Sequence, residues 1–332
     1  MRRIGAWLLG ALVLMLVVLF LPLTPRGLGA RPNPAKTFAE ALRRVAALEA
    51  KDSERIAPEC RTRFYTHGVR TGRVIVMFHG LTNCPAQFDS LARIAYARGA
   101  NVFVPRLPRH GYADRMTDEL GSSDARELRT FADRVIDAAS GLGDTMTVVG
   151  LSVGGTLAAW AAQERAEVAR AVLIAPMFGV AKAPGVFTPV VARLTALLPN
   201  LQVWWDPKRK LDLPGPKHVY PRFATRAIAA TILIGAETMQ AARRGPPRVR
   251  SAEFITVGND PAIDNGAIAQ LARLWERARP PVRASRYEFP AALGLNHDIV
   301  DPKQAGNDPA RTYPVLIRAI NEPDVIEETA PQ

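Results

Sequence analysis

Gly150-Leu151-Ser152-Val153-Gly154-Gly155 stands between an apolar run, Thr145–Val149, and a helical stretch, Gly154–Gln163. A Gly-x-Ser-x-Gly pattern alone arises often by chance. Placed between a strand and a helix, it marks a sharp turn that lifts a serine hydroxyl above a sheet. Side chains at Gly150 and Gly154 would collide across such a turn. The helix behind it aims its N-terminus at an anion developing near the serine. Outward from this turn, Asn101–Pro105 and Ala171–Ile174 read as strands, and Phe88–Ala97 and Asp124–Ala139 as helices. Thr62–Thr66 and Arg73–Phe78 read as two strands joined by a short Gly-containing connection, hence as an antiparallel hairpin.

Past Pro176 the alternation stops. Residues 177–250 are proline-rich, carry Trp204 and Trp205, and show helical stretches at Pro189–Leu198 and Arg226–Met239. The alternation resumes with a strand at Ala252–Val257, a helix at Ala267–Ala278, a strand at Ala284–Phe289 and a last helix at Tyr313–Ile320. The fold expected is α/β, a mostly parallel sheet with helices on both faces and an inserted helical lid. Its parts are an N-terminal anchor or signal (1–30), a linker and first helix (31–60), a first core half (61–176), the lid (177–250) and a second core half (251–332).

An unassisted serine is a weak nucleophile and needs a base. Serines on such turns precede first their acid and then their histidine along the chain. Of the five histidines, only His218 and His297 follow Ser152. His218 lies in the inserted segment with no strand before it, whereas His297 sits in a loop, Gly294-Leu295-Asn296-His297-Asp298, beyond the strand Ala284–Phe289. Asp260, just past the strand ending at Val257, is read as the acid that fixes the imidazole tautomer. Asp264 is the rival for that role, and Asp298 is read as structuring its own loop. A developing oxyanion needs two aimed N–H donors. Val153 supplies one, and Leu81, in the loop His79-Gly80-Leu81-Thr82-Asn83, is read as the other, with His79 structural.

His79-Gly80-Leu81-Thr82, Pro105-x-x-Pro108-x-His110-Gly111, Gly150-x-Ser152-x-Gly154-Gly155, Asp260-x-x-Ile263 and His297-Asp298 together resemble α/β-hydrolases of the monoacylglycerol lipase and carboxylesterase type, a group that shares its hydrolase domain with serine aminopeptidases. The resemblance runs over residues 73–180 and 250–302. It implies an eight-stranded sheet, the Ser152-Asp260-His297 triad, the two oxyanion amides, action on small-molecule carboxylic esters or lipids, and no metal or other cofactor. The lid matches little, so the substrate does not carry over. Trp204 and Trp205 are expected to face an acyl pocket. Alternatives are a serine aminopeptidase, for which Asp206, Asp212 or Glu237 would hold the substrate amine, an acyltransferase, or a non-catalytic binding protein on the same scaffold.

With 48% apolar and 22% charged residues, the 332-residue chain has a globular composition. Its net charge of +12 is scattered, the densest runs being Lys208-Arg209-Lys210 and Arg243-Arg244, and no aromatic platform accompanies them. No nucleic-acid partner is expected. Arg2 and Arg3 precede an uncharged apolar run from Ile4 to Leu23, enough for a helix of about 30 Å. This reads as a membrane anchor holding the enzyme outside the cytoplasm, on the periplasmic side if the source is bacterial. A secretory signal cleaved near Gly27-Leu28-Gly29-Ala30 is the alternative. An oxidising compartment would let the only two cysteines, Cys60 and Cys84, form a disulfide; two buried thiols are the alternative.

Overall fold

The computed structural model describes residues 27–181, 198–280 and 282–321, with isolated positions among residues 5–16 and at 192 and 195. Its main sheet has seven strands: β1 (Arg63–Tyr65), β2 (Thr71–Phe78), β3 (Asn101–Val104), β4 (Gly143–Leu151), β5 (Val168–Ile174), β8 (Ser251–Val257) and β9 (Arg283–Phe289). Their spatial order is β1-β3-β2-β4-β5-β8-β9. Every pairing is parallel except that of β1 with β3, and among the described residues the sheet has seven strands where eight were expected. The hairpin expected from the first two strands does not form. β1 pairs with β3, Arg63 opposite Val104 and Tyr65 opposite Val102. The apolar β3 returns parallel to β2 and occupies the edge that a hairpin partner would have taken.

Seven helices accompany the sheet among the described residues: α1 (Phe38–Glu49), α2 (Asp89–Ala97), α3 (Ala125–Ala139), α4 (Val153–Glu164), α5 (Thr225–Arg244), α6 (Asn265–Glu276) and α7 (Pro309–Asn321). The chain steps one way from β2 to β3 and back past β2 to β4. Right-handed crossovers therefore put α2 and α3 on opposite faces. α7 joins α2, while α4, α5 and α6 follow α3 in contact with one another. The reversal creates a crevice at the carboxyl ends of β2 and β4, where open α/β sheets take their ligands. β2 ends at Phe78 opposite Gly150 of β4, so the loop from His79 and the turn at Ser152 leave the sheet side by side.

The core runs through the central strands. Val74 to Phe78 are wholly buried, and α4 is buried from Val153 to Gln163, as expected of a helix that is apolar nearly all round. Leu28 plugs this core from the N-terminal side, fully buried, and its carbonyl accepts a 2.8 Å hydrogen bond from the indole of Trp160.

The inserted segment differs from the helical lid expected over 177–250. It contains an antiparallel pair, β6 (Gln202–Trp204) with β7 (Arg222–Ala224). α5, the long helix that follows, packs on α3 and α4 and leads back to β8, so it belongs to the crossover between β5 and β8. Most of Pro189–Leu198 lies outside the described residues.

The expected membrane anchor is not upheld. No helix among the described residues is long and apolar enough to cross a membrane. Most of residues 4–23 lie outside the described residues, and the extracytoplasmic placement that rested on them is withdrawn.

Candidate active site

Ser152 has φ 58° and ψ −116°, a left-sided backbone that a side chain other than glycine tolerates only when the surroundings enforce it. They do so here. The Ser152 N–H donates to Ile174 O at 3.0 Å, and the Ser152 carbonyl accepts from Thr156 N at 2.9 Å and Met177 N at 3.1 Å. The flanking glycines are sterically required. A Cβ on Gly150 would stand 2.1 Å from Gly154 O, and one on Gly154 would stand 1.9 Å from Phe78 O. The turn can therefore pack against the end of β2 only with glycine at both places.

β8 ends at Val257, and Asp260 follows with its N–H bonded to Val257 O at 3.2 Å. Its side chain has no exposed surface and its Oδ1 accepts from Ala262 N at 2.8 Å. Its Oδ2 lies 2.6 Å from His297 Nδ1. With Asp260 as carboxylate, this contact sets the tautomer: Nδ1 carries the proton and donates, and Nε2 holds a lone pair. That Nε2 is buried and has no hydrogen-bond partner. The rival residues are engaged elsewhere. Asp264 caps α6, accepting from Gly266 N and Ala267 N, and His218 Nε2 meets Asn83 Oδ1 at 3.2 Å.

The loop after β2 carries Leu81, which is buried, next to Thr82 at φ 62°. Val153 opens α4, so its N–H belongs to the first turn, where no preceding residue supplies a helical acceptor. His79 is wholly buried. Leu107 N donates to its Nε2 at 3.0 Å, which leaves Nδ1 to donate to Gly80 O at 3.0 Å. Burial, with the neighbouring His110, holds His79 well below the ordinary histidine pKa, as fits a neutral structural ring. Burial likewise lowers His110 to about 4.

Several supports of this loop were not read from the sequence. The Gly80 N–H donates to Gln87 Oε1 at 2.7 Å, and Gln87 Nε2 donates to Asp298 Oδ2 at 2.6 Å, in the loop of His297. The indole of Trp205 donates to Thr82 Oγ1 at 3.0 Å, and Tyr220 N donates to Thr82 O at 2.8 Å. No spacing rule marks Gln87 or Tyr220, because their partners are distant in the chain. Trp204 and Trp205 stand on and just after β6. Trp205 is 42% exposed and packs on Phe223, with ring centroids 4.4 Å apart, and Lys210 Nζ lies 6.0 Å from the Trp204 ring centroid. Cys60 and Cys84 are bonded, with Cα atoms 5.1 Å apart, and Cys84 directly follows the 79–83 loop. No group of three or more His, Cys, Asp or Glu side chains able to hold a metal occurs among the described residues.

Residues 75–307 match the model of a family described as the alpha/beta hydrolase family. In structure the chain is similar to a soluble variant of monoglyceride lipase from Saccharomyces cerevisiae, with TM-score 0.58 and 13% identity, over 78% of this chain and 88% of that one. It is also similar to Paleococcus ferrophilus monoacylglycerol lipase, with TM-score 0.58 and 16% identity, over 78% of this chain and 97% of that one. A third similar structure comes from work on the metagenome-derived lipolytic enzymes LipS and LipT, with TM-score 0.57 and 18% identity, over 80% of this chain and 98% of that one. At these identities the likeness is one of fold. No curated protein matches the sequence.

Proposed function

Because the chain belongs to the alpha/beta hydrolase family, we propose that it is a serine hydrolase of carboxylic esters, of the carboxylesterase or monoacylglycerol lipase kind. The observation that carries this reading is the 2.6 Å contact of His297 with Asp260, which leaves a buried, unpartnered Nε2 as a base. Ser152 Oγ attacks the ester carbonyl carbon and gives its proton to His297 Nε2. Asp260 stabilises the imidazolium so formed. The N–H groups of Leu81 and Val153 hold the negative oxygen of the tetrahedral intermediate. Its collapse breaks the bond to the alcohol, which leaves with the proton from His297, and Ser152 is acylated. Water then attacks the acyl-enzyme, giving its proton to His297, and the acid is released as Ser152 is restored.

Two features weigh against an aminopeptidase. Glu237 is paired with Arg244 at 2.9 Å, and Asp206 accepts from Lys208 N and Arg209 N in its own turn. These two carboxylates are thus engaged within the inserted segment, and an aminoacyl amide control tests the third, Asp212. The test is a panel of p-nitrophenyl esters of rising chain length with an aminoacyl amide control, run beside fluorophosphonate labelling. Esters should be hydrolysed and Ser152 labelled. Ser152→Ala should abolish both, with a rate loss on the order of 10⁶. Ester hydrolysis within tenfold of the unaltered protein in that variant refutes the reading.

A further inference from the structure

The base, His297, and the oxyanion donor Leu81 lie far apart in the chain, yet catalysis needs them in one fixed relation. Two contacts join their loops. Gln87 bridges them, accepting from Gly80 N at 2.7 Å and donating to Asp298 Oδ2 at 2.6 Å. Asn83 Nδ2 reaches the same Asp298 oxygen at 3.4 Å, while Asn83 Oδ1 accepts from Cys84 N at 2.8 Å. The other Asp298 oxygen accepts from Val300 N at 3.0 Å and Asp301 N at 3.1 Å, which folds the chain just past His297. One carboxylate therefore fastens the residue next to the base and the loop on either side of Leu81. All four donors to it are neutral, so its place in the structure is set by directed hydrogen bonds rather than by an ion pair.

From this geometry we infer that Asp298 is a positioning residue, which through Gln87 fixes the Leu81 N–H relative to the imidazole of His297. The inference rests on the proposed serine hydrolase reading. The polarity of the bridge makes it testable. Along the path Gly80 N–H, Gln87 Oε1, Gln87 Nε2, Asp298 Oδ2, each donor meets an acceptor. Asp298→Asn can place a second donor against the Gln87 amide. If Gln87 turns over to accept from it, the Gly80 N–H then faces an NH₂ group. Gln87→Glu sets two carboxylates against each other. The two changes together restore a complementary path along the Gln87 branch, and forfeit only the longer 3.4 Å contact from Asn83 Nδ2. The carboxylate then at position 87 accepts both from Gly80 N and from the amide then at position 298.

The experiment compares kcat, KM and melting temperature for the unaltered protein, Gln87→Glu, Asp298→Asn and the double variant on one p-nitrophenyl ester. Misplacing catalytic groups by about 1 Å can cost on the order of 100-fold. Each single variant should lose roughly 30- to 100-fold in kcat with KM within about threefold, and the double variant should return to within about fivefold of the unaltered kcat. Single variants within twofold of the unaltered kcat overturn the inference, as does a double variant no better than the singles. An unaltered protein that neither hydrolyses esters nor takes up fluorophosphonate fails the serine hydrolase reading instead, and with it this inference.

Discussion

Asp260 and Asp264 sit four residues apart after the same strand and face different partners. The first meets His297 Nδ1 at 2.6 Å, and the second accepts from Gly266 N and Ala267 N at the start of α6. The two substitutions should therefore separate activity from stability. Asp260→Asn should lower kcat by on the order of 10⁴, because the amide favours the wrong imidazole tautomer, with little change in melting temperature. Asp264→Ala should cost about 1 kcal/mol of stability through the lost cap and leave kcat within about twofold. Urea unfolding and ester kinetics on both variants check this. A larger kcat loss at 264 than at 260 would reverse the assignment of the acid.

Removal of the Cys60–Cys84 bridge should touch both stability and rate. The bridge spans a separation of 24 residues, for which the chain-entropy account gives about 3.5 kcal/mol. Cys84 also ends the loop that carries Leu81, and its carbonyl accepts from Gln87 N at 3.0 Å. In reductant, the melting temperature should fall and kcat should drop about tenfold through a looser oxyanion loop. A Cys60→Ala/Cys84→Ala variant should show the same loss and no response to reductant. Activity unchanged by reductant, with two thiols found on alkylation, would mean that packing alone holds the loop.

The turn around Ser152 was legible in the sequence because its constraints are local. Gly150 and Gly154 face each other within five residues, and the strand and helix beside them carry plain apolar patterns. Asp260 and His297 were reachable by the same logic, since each follows the end of a strand. The pairing of β1 was not legible. A short strand of half-buried residues, Arg63–Tyr65, fits beside β2 or beyond β3 equally well on pattern, and only the path of the intervening chain decides. The 177–250 segment misled for a related reason. The helical pattern of Arg226–Met239 is real, but periodicity does not say whether a helix covers the site or backs the sheet, and α5 packs on α3 and α4. The Gln87–Asp298 bridge spans 211 residues, beyond any spacing rule.

Leu28 offers a test of how far the N-terminal segment belongs to the folded core. Its side chain is fully buried, and the strap around it is tied by backbone donors: Arg31 N to Asp133 Oδ2 at 3.0 Å and Asn33 N to Asp137 Oδ1 at 2.9 Å. Arg165, also wholly buried, holds both carboxylates in place. Leu28→Ala should destabilise by about 2–5 kcal/mol, because it leaves a cavity that a tied backbone cannot close. Ester hydrolysis at 25 °C should stay within about twofold. A stability loss under about 1 kcal/mol in urea unfolding would place Leu28 outside the core.

Part of the acid sensitivity should come from the paired rings behind the oxyanion loop. His79 and His110 are both buried, with centroids 5.2 Å apart, and both have depressed folded pKa values, His110 at about 4. In the unfolded chain each titrates near the ordinary value of about 6.5. Above that value neither state binds the proton, and the folded state keeps its full stability. As pH falls below it, the unfolded chain takes up protons that the folded rings refuse, so stability drops until the folded pKa is reached. For His110 alone the window runs from about 6.5 to about 4 and the loss approaches roughly 3 kcal/mol. Asp301 acts in the opposite sense. Burial raises its carboxyl to about 6, so the folded state gains a proton before the unfolded one and recovers some stability over part of the same range. Burial also lowers His218, which works with the two rings, and raises Asp298 and Glu49, which work with Asp301, so the share of His110 is read as the difference between two proteins rather than from one curve. Unfolding free energies are compared at pH 7.5, 6 and 5. The slope should flatten in His110→Asn, whose amide can still donate toward Pro108 O, the 2.8 Å partner of His110 Nδ1, but cannot take up a proton in this range. A constant offset between the two proteins at all three pH values would show that His110 remains neutral in both the folded and unfolded states, or binds its proton equally in both, and the acid sensitivity would then have to arise from other groups.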